Sequence, residues 1–100
     1  MEGIFITMEG PDGSGKTTQI DLLKKYLESR GYDIVIAREP GGTVIGEAIR
    51  EIILNPEYRE MSHMTELLLY ASARAQLVNQ VIKPALLSGK AVICDRFVES

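Results

Sequence analysis

The segment Gly10-Pro11-Asp12-Gly13-Ser14-Gly15-Lys16-Thr17 satisfies the spacing G-x-x-x-x-G-K-[ST] at every constrained position. Glycines set this closely let successive backbone N–H groups curl inward around the β-phosphate of a nucleotide. A helix opening behind them adds its positive end. Lys16 can then bridge the β- and γ-phosphates as a point charge, and Thr17 can offer its hydroxyl oxygen to Mg²⁺. The chemistry predicted is the binding of nucleotide phosphates.

Further charged residues fall where they could serve the same crevice. Asp95 follows the apolar run Ala91-Val92-Ile93-Cys94 at the carboxyl end of a strand, where open α/β sheets bind ligands. It can hold Mg²⁺ or its water shell beside Thr17, or simply pair with Arg96. Arg38-Glu39 closes another strand. Arg50 and Arg74 lie on or beside the apolar stripes of their helices, where a guanidinium must find a phosphate or carboxylate or else snorkel to water. Tyr70, one turn before Arg74, reads either as a platform for a base or as a core aromatic. His63 opens a helix and carries no assigned chemistry, and Cys94 should be buried and inert.

Elements that place these residues alternate along the chain. Ile4 to Met8 reads as a strand that stops at the glycine-rich loop. From Lys16 a helix follows, with Ile20, Leu23 and Leu27 on one face and Gly31 as its stop. Asp33 to Ala37 is a second strand, apolar enough to be covered on both faces. After Glu39-Pro40-Gly41-Gly42, Thr43 caps a helix lined by Ile45, Ile49, Ile52 and Ile53, which Asn55-Pro56 ends. Glu57 to Met61 reads as loop. Ser62 caps a long helix toward Ser88, with Leu67, Ala71, Arg74 or Ala75, Val78 and Ile82 in helical spacing, a kink or break at Pro84 and a stop at Gly89. Ala91 to Cys94 is the third strand. The order βαβααβ predicts parallel strands joined by helical crossovers.

One hundred residues allow a single small domain. Eleven basic against fourteen acidic residues give a net charge of −3, which argues against a nucleic-acid or anionic-membrane coat. The single cysteine cannot form an internal disulfide and fits a reducing cytoplasm, and neither a signal peptide nor a membrane span is expected.

The runs Phe5 to Gln19, Arg38-Glu39-Pro40-Gly41-Gly42-Thr43, Thr65 to Arg74 and Asp95-Arg96-Phe97 together resemble the thymidylate kinase family, its bacterial and archaeal members most. The resemblance implies a three-layer α/β P-loop kinase fold with a parallel sheet flanked by helices. Residues 1–100 would form the N-terminal part of one such domain, truncated after the third predicted strand. It implies transfer of the γ-phosphoryl of ATP to dTMP, with Mg²⁺, in a cytoplasmic homodimer. The ATP site would comprise Gly10, Pro11, Asp12, Gly13, Ser14, Gly15, Lys16, Thr17 and Thr18, with Thr17 and Asp95 on the metal side. By similarity Asp12 would approach the sugar 3′-hydroxyl of dTMP, and Arg96 would hold its 5′-phosphate. Glu39 and Arg50 would line the acceptor site. Tyr70 stands at the position of an aromatic, usually Phe, that stacks on thymine, and Arg74 at that of the arginine reaching its O4 edge. Phe97 stands where Tyr is common. Family members run to roughly twice this length, and an arginine-bearing lid over the ATP phosphates would lie in the part beyond residue 100, so this stretch alone should be a poor enzyme.

Two rival readings follow from the residues themselves. A kinase of the same build could act on another nucleoside monophosphate. A nucleotide-hydrolysing switch would share the loop, but no Asp-x-x-Gly follows the third strand. Nucleotide binding without turnover is the third.

Overall fold

The computed structural model describes residues 1–10 and 15–96. Strand β1 (Ile4–Glu9), helix α1 (Lys16–Ser29), strand β2 (Ile34–Glu39) and helix α2 (Val44–Leu54) come first. Helix α3 (His63–Leu77), a π-helical turn at Val78–Ile82, the short helix α4 (Lys83–Leu87) and strand β3 (Ala91–Arg96) follow. The three strands form one parallel sheet in the order β1-β3-β2, so β3, last in the chain, is central. Ala91, Val92, Ile93 and Cys94 are completely buried, as a strand covered on both faces requires.

On one face of the sheet Ile20, Leu23 and Leu27 of α1 pack with Ile4, Ile6, Ile34 and Ile93. On the other, Leu77, Ile82 and Ala85 pack with Ala37, Val92 and Cys94. Both expected glycine stops are present. Gly31 (φ 94°) and Gly89 (φ 79°) take the left-handed conformation that closes a helix. The N–H groups of Gly31 and Tyr32 return to the Glu28 and Leu27 carbonyls, and those of Gly89 and Lys90 to Leu86 and Ala85. Ser62 caps α3 by accepting the Thr65 N–H at 3.0 Å.

All three strands run further than expected, by one residue in β1 and two each in β2 and β3, and those extra residues carry the charges. The long helix is also interrupted earlier than Pro84. Pro84 has no N–H for the Gln80 carbonyl, and its ring crowds that turn. The helix loosens into a π turn just ahead, where the Lys83 N–H bonds Val78 O. That turn breaks the 3.6-residue spacing. The buried stripe is therefore Ala73, Leu77, Ile82 and Ala85, while Leu67, Ala71 and Val78 stay exposed.

On α2, Ile49 and Ile53 are half-buried, but Ile45 and Ile52 are exposed, because this helix packs chiefly on α3 rather than on the sheet. No helix among the described residues is long and apolar enough to cross a membrane.

Candidate active site

The carboxyl ends of the three strands carry the charges. The parallel register sets Glu9 of β1, Arg96 of β3 and Glu39 of β2 level with one another. Side chains alternate along a strand, so these three emerge on the same face. Arg96 donates from Nε to Glu39 Oε2 at 2.6 Å and from Nη1 to Glu9 Oε1 at 3.1 Å. Arg74, reaching down from α3, donates from Nε to the other Glu39 oxygen at 2.8 Å. One buried carboxylate thus holds two guanidiniums. Burial alone would raise the Glu39 pKa, but hydrogen bonds and charge from Arg74 and Arg96 outweigh it and hold the pKa below its usual value. Arg96 gains correspondingly, its pKa raised by the hydrogen bond to Glu39.

These residues wall a cavity of about 390 Å³, closed on its apolar side by Pro40, Leu67, Tyr70 and Ala71. That size falls within the range of small-ligand sites. Glu39 and Pro40 bring the start of the Arg-Glu-Pro-Gly-Gly-Thr run to the cavity wall. The Glu39–Pro40 peptide is cis, and Gly41 and Gly42 take φ of 117° and 83°. A Cβ on Gly42 would meet Arg38 O and Leu77 Cδ1, each at 2.9 Å. Thr43 then caps α2, its hydroxyl accepting the Gly46 N–H at 2.9 Å.

The second charged group lies against the opposite face of β3. Lys16, the first residue of α1, is 95% buried, a position open to a lysine only if its ammonium is well paired. Nζ donates to Gly10 O at 2.8 Å and Arg96 O at 3.3 Å, and lies 2.6 Å from Asp95 Oδ1. The last approach is a charge pair rather than an aligned hydrogen bond, so Asp95 Oδ1 is a buried oxygen without a directed donor. Such an oxygen, with the Thr17 hydroxyl one residue after Lys16, suits a hard cation that binds few protein oxygens and keeps its waters, as Mg²⁺ does. No group of three or more acidic, His or Cys side chains among the described residues is placed to hold a metal ion by itself.

Glu39, Arg74, Arg96 and Tyr70 of the expected site are therefore gathered at one cavity, and Lys16 and Asp95 lie directly behind it. Asp95 pairs with Lys16 rather than with Arg96. Arg50 is not gathered with them. It does not line the cavity, and its charge partner is Glu47 on the same helix, 4.0 Å away. Beside the apolar stripe of α2 an arginine is expected to reach a phosphate or carboxylate, but α2 packs on α3 and Arg50 meets only Glu47 of its own helix among the ion pairs of the described residues. Thr18 is exposed on α1. Pro11, Asp12, Gly13, Ser14 and Phe97 lie outside the described residues. The unforeseen member is Glu9, whose place at a strand end equivalent to Glu39 becomes significant only once the register is known. Cys94 is buried beneath the cluster, its thiol pushed up to about 11 by burial and by the Glu39 charge.

A parallel α/β sheet with a glycine-rich strand-to-helix loop and charged strand ends defines the P-loop kinase fold. The thymidylate kinase family model matches residues 8–100, and the chain belongs to that family. It is 61% identical over 100 residues to a thymidylate kinase of Exiguobacterium sibiricum, covering all of this chain and 47% of that protein. It is 63% identical over 100 residues to one from Pelotomaculum thermopropionicum, covering 46% of it. The crystal structure of thymidylate kinase from Ehrlichia chaffeensis superposes with a TM-score of 0.78 at 43% identity, over 97% of this chain and 55% of that one. The chain spans about half the length of the curated relatives it matches.

Proposed function

We propose that the whole protein transfers the γ-phosphoryl of ATP to dTMP, giving dTDP and ADP. The observation that carries this reading is the placement of two oppositely equipped sites on successive residues of one strand. Asp95 faces the phosphate-loop lysine, and Arg96 faces the cavity. A donor phosphate on the first side and an acceptor phosphate on the second would meet across the end of β3.

The acceptor is itself a phosphate oxyanion, so a strong base is not needed, and the work is positioning and charge neutralisation. Arg96 takes the 5′-phosphate of dTMP. Tyr70, Leu67 and Pro40 offer apolar surface to the pyrimidine, and Arg74 reaches its polar edge. Lys16 leaves its backbone partners for the β- and γ-phosphates of ATP. Mg²⁺, when bound near Thr17 and Asp95, supplies neutralisation of phosphate charge. The names of the relatives support the nucleotide type. The apolar residues left exposed on α2 and α3, Ile45, Ile52 and Leu68 among them, support a homodimer. The net charge of −3 and the single buried cysteine suit a cytoplasmic protein that engages neither nucleic acid nor membrane.

Label tracing tests the reaction type. With γ-labelled ATP and dTMP, the full-length protein should place the label in dTDP. Label released only as inorganic phosphate would make it a hydrolytic enzyme instead.

A further inference from the structure

Among the described residues the cavity is lined by two carboxylates, Glu9 and Glu39, and two guanidiniums, Arg74 and Arg96, whose formal charges cancel. A phosphomonoester dianion therefore meets guanidiniums that are already balanced by carboxylates. To gain the whole end-on edge of Arg96 it must take a nitrogen from a carboxylate that already accepts from it.

The geometry restricts which carboxylate can yield. A guanidinium presents two bidentate forks, one from Nε and Nη2, the other from the terminal nitrogens Nη1 and Nη2. Glu39 occupies Nε at 2.6 Å, and its own side chain is only 10% exposed and held also by Arg74. The end-on fork is left for a phosphate, and one of its two nitrogens, Nη1, is already donated to Glu9 at 3.1 Å. The Glu9 side chain is 55% exposed and can swing into water without a desolvation cost.

We propose that Glu9 is an intramolecular competitor for the phosphate at Arg96, holding the end-on fork until a phosphomonoester displaces it. This rests on the reading that the acceptor phosphate binds Arg96. Glu39 aims the guanidinium, and Glu9 weakens whatever binds it, acceptor and product alike. The effect is on affinity at one site, with the ATP side unaffected. A purely structural role for Glu9, steadying Arg96, makes the opposite prediction, because its loss would then weaken acceptor binding.

The test is steady-state kinetics of the full-length protein, native and as Glu9→Gln, Glu9→Asp and Arg96→Gln. Both substrates are varied, and inorganic phosphate is the competing probe. Glu9→Gln should lower KM for dTMP and the inhibition constant of inorganic phosphate by about fivefold, the size of a partly exposed ion pair, with KM for ATP unchanged. Glu9→Asp keeps the charge and should lie closer to the native protein. Arg96→Gln should raise KM for dTMP by about tenfold or more. A KM for dTMP that rises or stays constant in Glu9→Gln, while Arg96→Gln weakens binding, overturns the competitor role alone. If Arg96→Gln leaves dTMP binding unchanged, the phosphate binds elsewhere and both readings fall.

Discussion

Glu39 and Arg96 are cross-strand partners on β2 and β3, and their side chains meet at 2.6 Å above the carboxyl edge of the sheet. Arg74 closes on the other oxygen of the same carboxylate. Through this contact an arginine from the central strand and one from α3 are fixed relative to each other. Removing the Glu39 charge should release both. Glu39→Gln is expected to destabilise the fold by about 1.5–3 kcal/mol, the range for hydrogen bonds to charged groups. It should also raise KM for dTMP more than KM for ATP. Urea unfolding checks the first and steady-state kinetics the second.

The same carboxylate imposes a pH dependence. Its pKa is held below the ordinary value of 4.5, so the folded state favours the charged form. The stability this contributes is fully present above about pH 4.5 and is lost as pH falls through the lower folded pKa. The difference in unfolding free energy between native protein and Glu39→Gln should therefore be constant near neutrality and shrink in acid. A difference that grows as pH falls would contradict the assignment.

The turn after β2 makes a separate demand. Gly42 has a φ of 83°, and an added Cβ would press on the Arg38 carbonyl and on buried Leu77. Neither neighbour is the free end of a flexible chain. Gly42→Ala should cost about 1–3 kcal/mol by the strain of that backbone region alone. Thermal unfolding of the variant is the check, and a melting point equal to that of the native protein would show that the turn adapts.

Much of this arrangement was legible in the residues. Glycine stops, the Thr43 and Ser62 caps, the α1 stripe, and the strand before and helix after the phosphate loop are local signals, and each is realised among the described residues. What could not be read was non-local. The position of β3 between β1 and β2 sets Glu9 beside Arg96, and nothing in the spacing of residues 9 and 96 announces it. The π turn ahead of Pro84 breaks the spacing of the long helix, whose buried stripe runs through Leu77 and Ile82, while Leu67 and Ala71 line the cavity. Arg50 is not in the cluster because α2 packs on α3, and helix direction is decided by packing and not by periodicity.

Cys94 lies completely buried beneath the charged cluster, with its thiol pushed up to about 11. The thiolate is the reactive form, so at neutral pH it should be inert. A thiol reagent should modify the folded protein far more slowly than the urea-unfolded one. Equal rates would mean that β3 is open to solvent.

Coupled ADP release by the full-length protein, with ATP, Mg²⁺ and a panel of nucleoside monophosphates, tests the central claim most directly. Turnover with dTMP should exceed that with dCMP, dAMP and dGMP by at least about a hundredfold, since a site built to hydrogen-bond one base edge rejects others strongly. ADP appearing at one slow rate whatever acceptor is added would contradict the claim that the Glu39–Arg74–Arg96 cavity receives the acceptor.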